Sequence, residues 1–406
     1  MRILHTSDWH LGQHFMGKTR QAEHQAFCRW LIEQVREREV DAVLVAGDVF
    51  DTGAPPSYAR EQYNQFIVEL RDTGASLVVL GGNHDSVAML GESRTLLAQL
   101  DTRVVPAVGV EPDEQLLVLK RRTGEPGAIL CAIPFIRPRD VLLSQAGQSA
   151  ADKQLSLQQA IQDHYQKLFA LAEQRRAELG GGLPIVATGH LTTVGASASE
   201  SVREIYVGAL EAFPTSAFPA ADYIALGHIH RPQKVGGLEH IRYCGSPIPL
   251  SFDEARQQKE VLLVELDSIG LHKVEALAVP RFQALYSLRG SLSELPALFA
   301  EVARDGSSQQ PVWVEVQIST DDYLSDLQAR LAALCDGLPV EVLRIRRERG
   351  ATQAGLQREA RETLDELYPE EVFDKRLESE ELDQTLRQQL QGLHRDVLAE
   401  LQEGQA

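Results

Sequence analysis

The sequence predicts an α/β protein: a layered core built from two runs of strand-and-helix units, then a smaller α/β unit, then helices. Three observations predict it. Apolar strand-like runs alternate with helical patterns from the first residues onward, a separate strand-and-helix pattern begins at Arg281, and the final stretch trades its strand signal for a periodic leucine stripe. With 406 residues, 43% hydrophobic and 24% charged, the chain has material for more than one ordinary core.

In chain order, Ile3-Leu4 reads as strand, Glu23–Glu39 as helix, Ala42–Ala46 as strand, Ser57–Thr73 as helix and Ser76–Leu80 as strand. Short loops at the strand ends are where ligand sites of α/β proteins lie, so the chemistry is sought there. A second set of strands is expected at Ala128–Ile133, Pro184–Thr188, Tyr223–Ala225, His240–Tyr243 and Glu260–Glu265. Between them, Gln154–Leu179 has helical composition and ends in Gly180-Gly181-Gly182, a helix stop followed by a return to strand. The first domain is therefore placed at 1–280.

From 281 to 348 the pattern is strand (Phe282–Leu288), helix (Leu292–Arg304), strand (Pro311–Ile318), helix (Tyr323–Leu334) and strand (Val340–Arg346), a compact βαβαβ unit. It contains no histidine and so offers no imidazole to a metal. Residues 349–406 are rich in Glu, Gln, Arg and Leu. There Leu382, Leu386, Leu390, Leu393, Val397 and Leu401 recur at spacings of three and four, an apolar stripe on a long helix. Such a stripe either folds back on its own core or serves a partner helix.

Several classes are excluded. No apolar stretch approaches membrane-spanning length, and the opening residues carry no charged leader with an apolar run, so a cytosolic location is expected. Cys28, Cys131, Cys244 and Cys335 lie far apart, with no CxxC pair for a disulfide framework or a cysteine zinc site. No GxxxxGK[ST] loop is present, so ATP hydrolysis must come from elsewhere. The net charge of -18 argues against strong autonomous nucleic-acid binding, because phosphate contacts demand a basic footprint.

The chemistry lies in motifs that each follow an apolar strand. Ile3-Leu4-His5-Thr6-Ser7-Asp8-Trp9-His10 puts Asp8 and His10 two apart at a strand exit. Val45-Ala46-Gly47-Asp48 and Leu80-Gly81-Gly82-Asn83-His84-Asp85 repeat the arrangement, and Thr188-Gly189-His190 and Leu226-Gly227-His228-Ile229-His230 complete it. Glycine precedes Asp48, Asn83, His190 and His228, and its missing Cβ is expected to allow the sharp turn that aims the next side chain into a shared cleft. One buried histidine is more often a core residue than a ligand. The series strand, glycine, ligand, repeated with Asp, Asn and His, makes sense when the ligands converge. Two divalent cations held close together repel unless an anion lies between them, which a two-oxygen carboxylate can supply. Mixed imidazole, carboxylate and amide ligation suits Mn²⁺, Fe²⁺ or Zn²⁺.

This DxH, GD, GNHD, GH, GHxH series resembles the calcineurin-like metallophosphoesterases across the first domain. The resemblance implies a two-sheet layered metallophosphoesterase core with a small α/β capping domain and C-terminal helices. It also implies that Asp8, His10 and His230 hold one metal, that Asn83, His190 and His228 hold the other, and that Asp48 bridges them, with Mn²⁺ favoured. His84 takes the catalytic role, stabilising the transition state or protonating the leaving oxygen, with Asp85 as a partner that could orient it. Ser7–Gly12, Gly47–Ser57, Tyr243-Cys244-Gly245-Ser246-Pro247 and Phe252-Asp253-Glu254 are similar to the DNA nuclease branch, the SbcD-type proteins. Some archaeal and eukaryotic relatives carry a histidine where this chain has Asp51, which leaves Asp51 as a loop or supporting acid.

By that resemblance the chain is a 3′–5′ double-strand exonuclease and single-strand or hairpin endonuclease acting in DNA repair and recombination. Its C-terminal helices would dock on an SbcC/Rad50-like ATPase, and the helices around Ser57–Leu70 and Glu92–Leu100 would form a homodimer. Arg137 with Arg139, and Arg344-Ile345-Arg346-Arg347, are basic patches that could touch DNA or simply be solvated. Two other readings compete: a stand-alone phosphodiesterase of small nucleotides, and a scaffold for the ATPase whose cleavage is dispensable. The first needs neither the cap nor the leucine stripe, and the second has no reason to keep a complete ligand set.

Overall fold

The computed structural model describes residues 1–109, 112–142, 150–203, 205–206, 210, 212–318 and 327–347, together with Leu390 and Leu393. The first half of the core alternates strand and helix: β1 (Arg2–Thr6), a small hairpin of β2 (His14–Phe15) and β3 (Lys18–Thr19), α1 (Gln21–Glu37), β4 (Ala42–Val45), α2 (Ser57–Arg71) and β5 (Ser76–Leu80). Short helices α3 (Val87–Gly91) and α4 (Arg94–Leu97) lead to β6 (Thr102–Val105). The second half holds β7 (Leu116–Lys120), β8 (Pro126–Cys131), α5 (Pro138–Val141), α6 (Ala150–Glu178), β9 (Ile185–His190), β10 (Tyr223–Gly227), β11 (Gln233–Val235) and β12 (Leu238–Tyr243). The strands β13 (Glu260–Asp267) and β14 (Gly270–Ala278) then return to the first sheet.

Two six-stranded sheets result, ordered β14-β13-β1-β4-β5-β6 and β11-β12-β10-β9-β8-β7. The period-2 alternation of each strand explains their stacking. Ile3, Ala42, Leu44, Val78 and Leu80 face Ala128, Leu130, Val186, Tyr223 and Ala225 between the sheets. Leu4, Val43, Val45, Leu77 and Val79 face outward onto α1 and α2. On the far side α6 lays Leu157, Ile161, Tyr165, Leu168 and Ala172 against the second sheet, at helical spacing. Helix, sheet, sheet and helix therefore form four layers, each buried face being worth about 2–5 kcal/mol per large side chain lost to alanine.

The cap is a parallel sheet of β15 (Leu285–Gly290), β16 (Val312–Ile318) and β17 (Val340–Arg347), with α7 (Leu295–Val302) and α8 (Leu327–Leu334) around their own apolar core. It docks through a second cluster in which Phe15 stacks on Trp313 and packs with Phe252, Ala255 and Leu285. Lys18 pairs with Glu341 across the same seam (2.5 Å).

The helix expected around Glu92–Leu100 is α4 running on into a 3₁₀ turn at Ala98–Leu100, with Glu92 and Ser93 in the turn that follows α3. The leucine stripe lies outside the described residues except Leu390 and Leu393, which are helical. Among the described residues no helix is long and apolar enough to cross a membrane. The four cysteines are free thiols, three of them buried.

Candidate metal centre

Parallel pairing brings the carboxyl ends of β1, β4 and β5 to one rim of the first sheet, and those of β9 and β10 to the matching rim of the second. Each motif begins where its strand stops. Backbone hydrogen bonds stitch the loops together: Asp8 N donates to Gly47 O (3.0 Å) and His10 N to Asp48 O (3.1 Å). The buried Asp85 carboxylate accepts from Gly82 N (2.8 Å), Phe50 N (3.0 Å) and Val49 N (3.2 Å), pinning two ligand loops to each other.

Ligand side chains sit on strained backbone. Asp8, His10, Asp48 and His228 have φ of 54°, 49°, 50° and 94°, a region that costs a non-glycine residue about 1–3 kcal/mol. The glycines have two separate jobs. Gly47 turns the chain with φ +93°, whereas Gly82, Gly189 and Gly227 are needed for room: a Cβ on Gly227 would lie 2.0 Å from Ala46 O. The expected turning role therefore holds at Gly47, and close approach explains the other three.

The loops bring together all the sequence-predicted site residues. Ligand atoms of Asp8, His10 and His230 lie within 4.8 Å of one another, as do those of His10, Asp48 and His84, and those of Asp48, His190 and His228. Asn83 Oδ1 completes the last group, 2.9 Å from His190 Nε2 and 3.2 Å from His228 Nδ1. Asp48, 1% exposed, belongs to two groups and lies 3.3 Å from His190 Nε2 and 3.6 Å from His10 Nε2.

Outer contacts prepare the imidazoles for ligation. His190 Nδ1 meets the carbonyl of Ala46 (2.9 Å) and His10 Nδ1 meets Asp51 Oδ1 (3.0 Å). Both partners only accept, so a proton is held on Nδ1 and Nε2 is the nitrogen turned toward Asp48, free to ligate once its own proton is displaced. His10 Nε2, 3.6 Å from Asp48 Oδ2, is buried without a hydrogen-bond partner, and on His228 it is Nδ1 that faces the Asn83 side of the group. Imidazole nitrogens gathered around a shared carboxylate fit a pair of divalent cations.

The electrostatics match. Burial works against charge on His190, but Asp48 outweighs it and raises the imidazole to about 9. Burial likewise opposes charge on His10, and Asp51 and Asp48 raise it. Asp48 is held well below the carboxylate range, burial being overcome by His190 and His10. Protons on His190 and His10 thus balance Asp48, and a cation must displace them. His228 is driven well below its ordinary value by burial and then by His190.

His84 is half-buried, edge-on to His10 at 4.7 Å, with Nδ1 on the carbonyl of Asp51 (2.7 Å). Its backbone N–H donates to Asp48 Oδ1 (2.9 Å). Asp85 does not orient it, a correction to the sequence expectation: its oxygens are taken by backbone N–H groups, and Asp51 holds His84 instead. Burial first, then the neighbouring Asp48 charge, raises Asp85 to about 6.

Sequence reasoning missed Ser201 and Lys259 and named Glu254 only within Phe252-Asp253-Glu254, with no role; all three stand behind His230. The basic patches differ. Arg346 is bidentate on Glu200 (2.7 and 3.1 Å), and Arg344 and Arg346 both flank the buried Glu315 (3.2 and 3.1 Å). Arg137 lies over Phe135 and donates to the carbonyl of Asp85 (3.2 Å), beside the cleft.

Residues 1–232 match the family model of the calcineurin-like phosphoesterases, and residues 281–381 match one described as the type 5 capsule protein repressor C-terminal domain. The chain is 55% identical over 398 residues to SbcD, the D component of the nuclease SbcCD, of Escherichia coli (strain K12), spanning 98% of each. It is 33% identical over 356 residues to the Rhodobacter capsulatus protein of that name, covering 84% of this chain and 86% of that one. The Bacillus subtilis counterpart is 29% identical over 331 residues, covering 80% and 81%.

Proposed function

We propose a DNA-cutting function for this chain on one premise: it belongs to the calcineurin-like phosphoesterases and, within them, to the SbcD family of SbcCD nuclease components. Asp8, His10 and His230 hold one divalent cation, Asn83, His190 and His228 hold the other, and Asp48 bridges them, with Mn²⁺ the native ion. When bound, the pair supplies a hydroxide near neutral pH and neutralises charge on the phosphoryl oxygens. The observation that carries this reading is the position of buried Asp48, which lies in one group with His190 and His228 and in another with His10, itself grouped with Asp8 and His230.

The protein's own part is positioning and proton transfer. The Asp51 carbonyl accepts a hydrogen bond from His84 Nδ1–H, which orients the ring so that Nε2, when it carries the second proton of the imidazolium form, would donate to the departing oxygen. Arg137, held over Phe135 and on the Asp85 carbonyl next to a ligand loop, is the basic residue we assign to a substrate phosphate.

The substrate is DNA, digested 3′–5′ from double-strand ends and cut at single strands or hairpins. The cap arginines Arg344 and Arg346 are engaged by Glu200 and Glu315, and the chain carries a net charge of -18, which together support a partner that holds the duplex. That partner is an SbcC/Rad50-like ATPase docked on residues 349–406. A homodimer forms through α2 and α4, where Val68 and Leu96 are 53% and 66% exposed.

The test is hydrolysis of a 3′-labelled linear duplex and of a small phosphodiester, with Mn²⁺ or Mg²⁺, with and without the ATPase. The expected result is Mn²⁺-dependent loss of the 3′ label, stimulated by the ATPase. Strong turnover of the small diester, indifferent to removal of residues beyond 350, would favour the stand-alone phosphodiesterase instead.

A further inference from the structure

The outer nitrogens of His10 and His190 meet groups that can only accept a hydrogen bond. His230 is different: its Nδ1 lies 2.6 Å from Ser201 Oγ, a hydroxyl that can donate or accept. Ser201 alone therefore leaves the tautomer of His230 open, and a third group must settle it.

That group is Glu254, which is 0% exposed. Its Oε1 accepts from Ser201 Oγ (2.5 Å) and Ser199 Oγ (2.6 Å). Its Oε2 accepts from Lys259 Nζ (2.6 Å) and Leu250 N (3.0 Å). Lys259, 3% exposed, also donates to His230 O (2.9 Å) and Ser246 Oγ (3.0 Å), so it is built into the same wall. A carboxylate paired with a buried ammonium is ionised and accepts only. The single Ser201 proton is committed to it, Ser201 must accept from His230, and His230 carries its proton on Nδ1. Nε2 is left bare for the group formed with Asp8 and His10. The segment is held from outside as well, since Glu200, between the two serines, is clamped by Arg346 of the cap and its N–H donates to Asp253 Oδ2 (3.1 Å).

We propose that Glu254 is a positioning residue of the nuclease centre, fixing the tautomer of His230 through Ser201. This rests on the reading of His230 as a metal ligand. Glu254→Gln keeps the shape and reverses the proton chain. The amide oxygen faces Lys259 and Leu250 N, which can only donate, so the NH₂ faces the serines. Ser201 then donates to His230 Nδ1, and the imidazole proton moves to Nε2, where the lone pair is needed.

The experiment has two arms. In metal-free protein labelled with ¹⁵N-histidine, long-range ring spectra assigned with a His230→Gln variant report which nitrogen is protonated. Mn²⁺ titration, followed by the free-ion electron paramagnetic resonance signal, reports the affinity of each site. The expected results are Nδ1–H in the wild type and Nε2–H in Glu254→Gln, with one Mn²⁺ site weakened by about 10–100-fold and the other unchanged. On DNA, kcat falls at saturating substrate while KM holds. Ser201→Ala does less, because Glu254 Oε1 lies 3.4 Å from His230 Nδ1 and can accept directly. A wild-type proton on Nε2, or a Glu254→Gln protein with unchanged tautomer and Mn²⁺ affinities, overturns the proposal. If Glu254→Gln does not fold, the wild-type spectrum decides. A wild type that binds fewer than two Mn²⁺ overturns the functional reading instead, and the ring spectrum still reads the tautomer independently.

Discussion

Adding one methyl group at Gly82 tests whether Asp48 must sit where it does. A Cβ at this position would lie 2.1 Å from Asp48 Oδ1 and 2.3 Å from Asp48 N, whereas real Cβ atoms keep at least 3.0 Å. The carboxylate or its loop must therefore give by about 0.9 Å, several times the roughly 0.2 Å that metal–ligand distances tolerate. Overpacking of this kind costs about 1–3 kcal/mol, and misplacing a reacting group by about 1 Å costs on the order of 10² in rate. Gly82→Ala is expected to stay folded, to bind fewer than two Mn²⁺ per chain and to lose about 100-fold or more in turnover of linear duplex. Gly53→Ala is the control on the neighbouring loop, because the nearest atom to its Cβ is Ser86 Cβ at 3.5 Å. A Gly82→Ala protein with wild-type turnover and two bound ions would refute the reasoning.

Three other outcomes are expected. His84→Ala should lower turnover by about 10²–10⁴-fold while Mn²⁺ stoichiometry stays constant, and a parallel loss of metal would make His84 structural. Lys259→Met leaves Glu254 buried without its cation and should cost about 3–5 kcal/mol in urea unfolding, more than Lys259→Met combined with Glu254→Gln. Equal costs for the two would remove the pair from the account. His5 and His24 are kept neutral by burial, with folded values of about 3 against 6.5 unfolded. The unfolded chain therefore takes up the protons first, and stability that is intact above pH 6.5 falls as the pH drops toward 3. Each histidine should contribute a loss of about 2 kcal/mol by pH 5, and His24→Leu should flatten the slope measured between pH 7 and pH 5. An unchanged slope would show that His24 does not carry it.

The site was legible to the extent that its ligands are local to strand ends. Asp8, Asp48, Asn83 and His228 each follow directly on a strand or within three residues of one, and His190 closes a strand itself, so the pattern in sequence becomes a rim in space. Contacts without a local pattern were not legible. Ser201 meets His230 across 29 positions and Glu254 across 53, and nothing near Lys259 marks it as a buried cation. Adjacency also misled: Asp85 follows His84, yet its carboxylate turns to the amides of Gly82, Val49 and Phe50. The β2–β3 hairpin escaped because its strands are two residues each and its turn, with φ of 48° at Met16 and 82° at Gly17, has only the glycine as a sign.

Anomalous scattering from crystals grown with Mn²⁺ addresses the central claim most directly. Two peaks are expected, one against Asp8, His10 and His230 and the other against Asn83, His190 and His228, with Asp48 touching both. A single peak, or peaks away from Asp48, would contradict it.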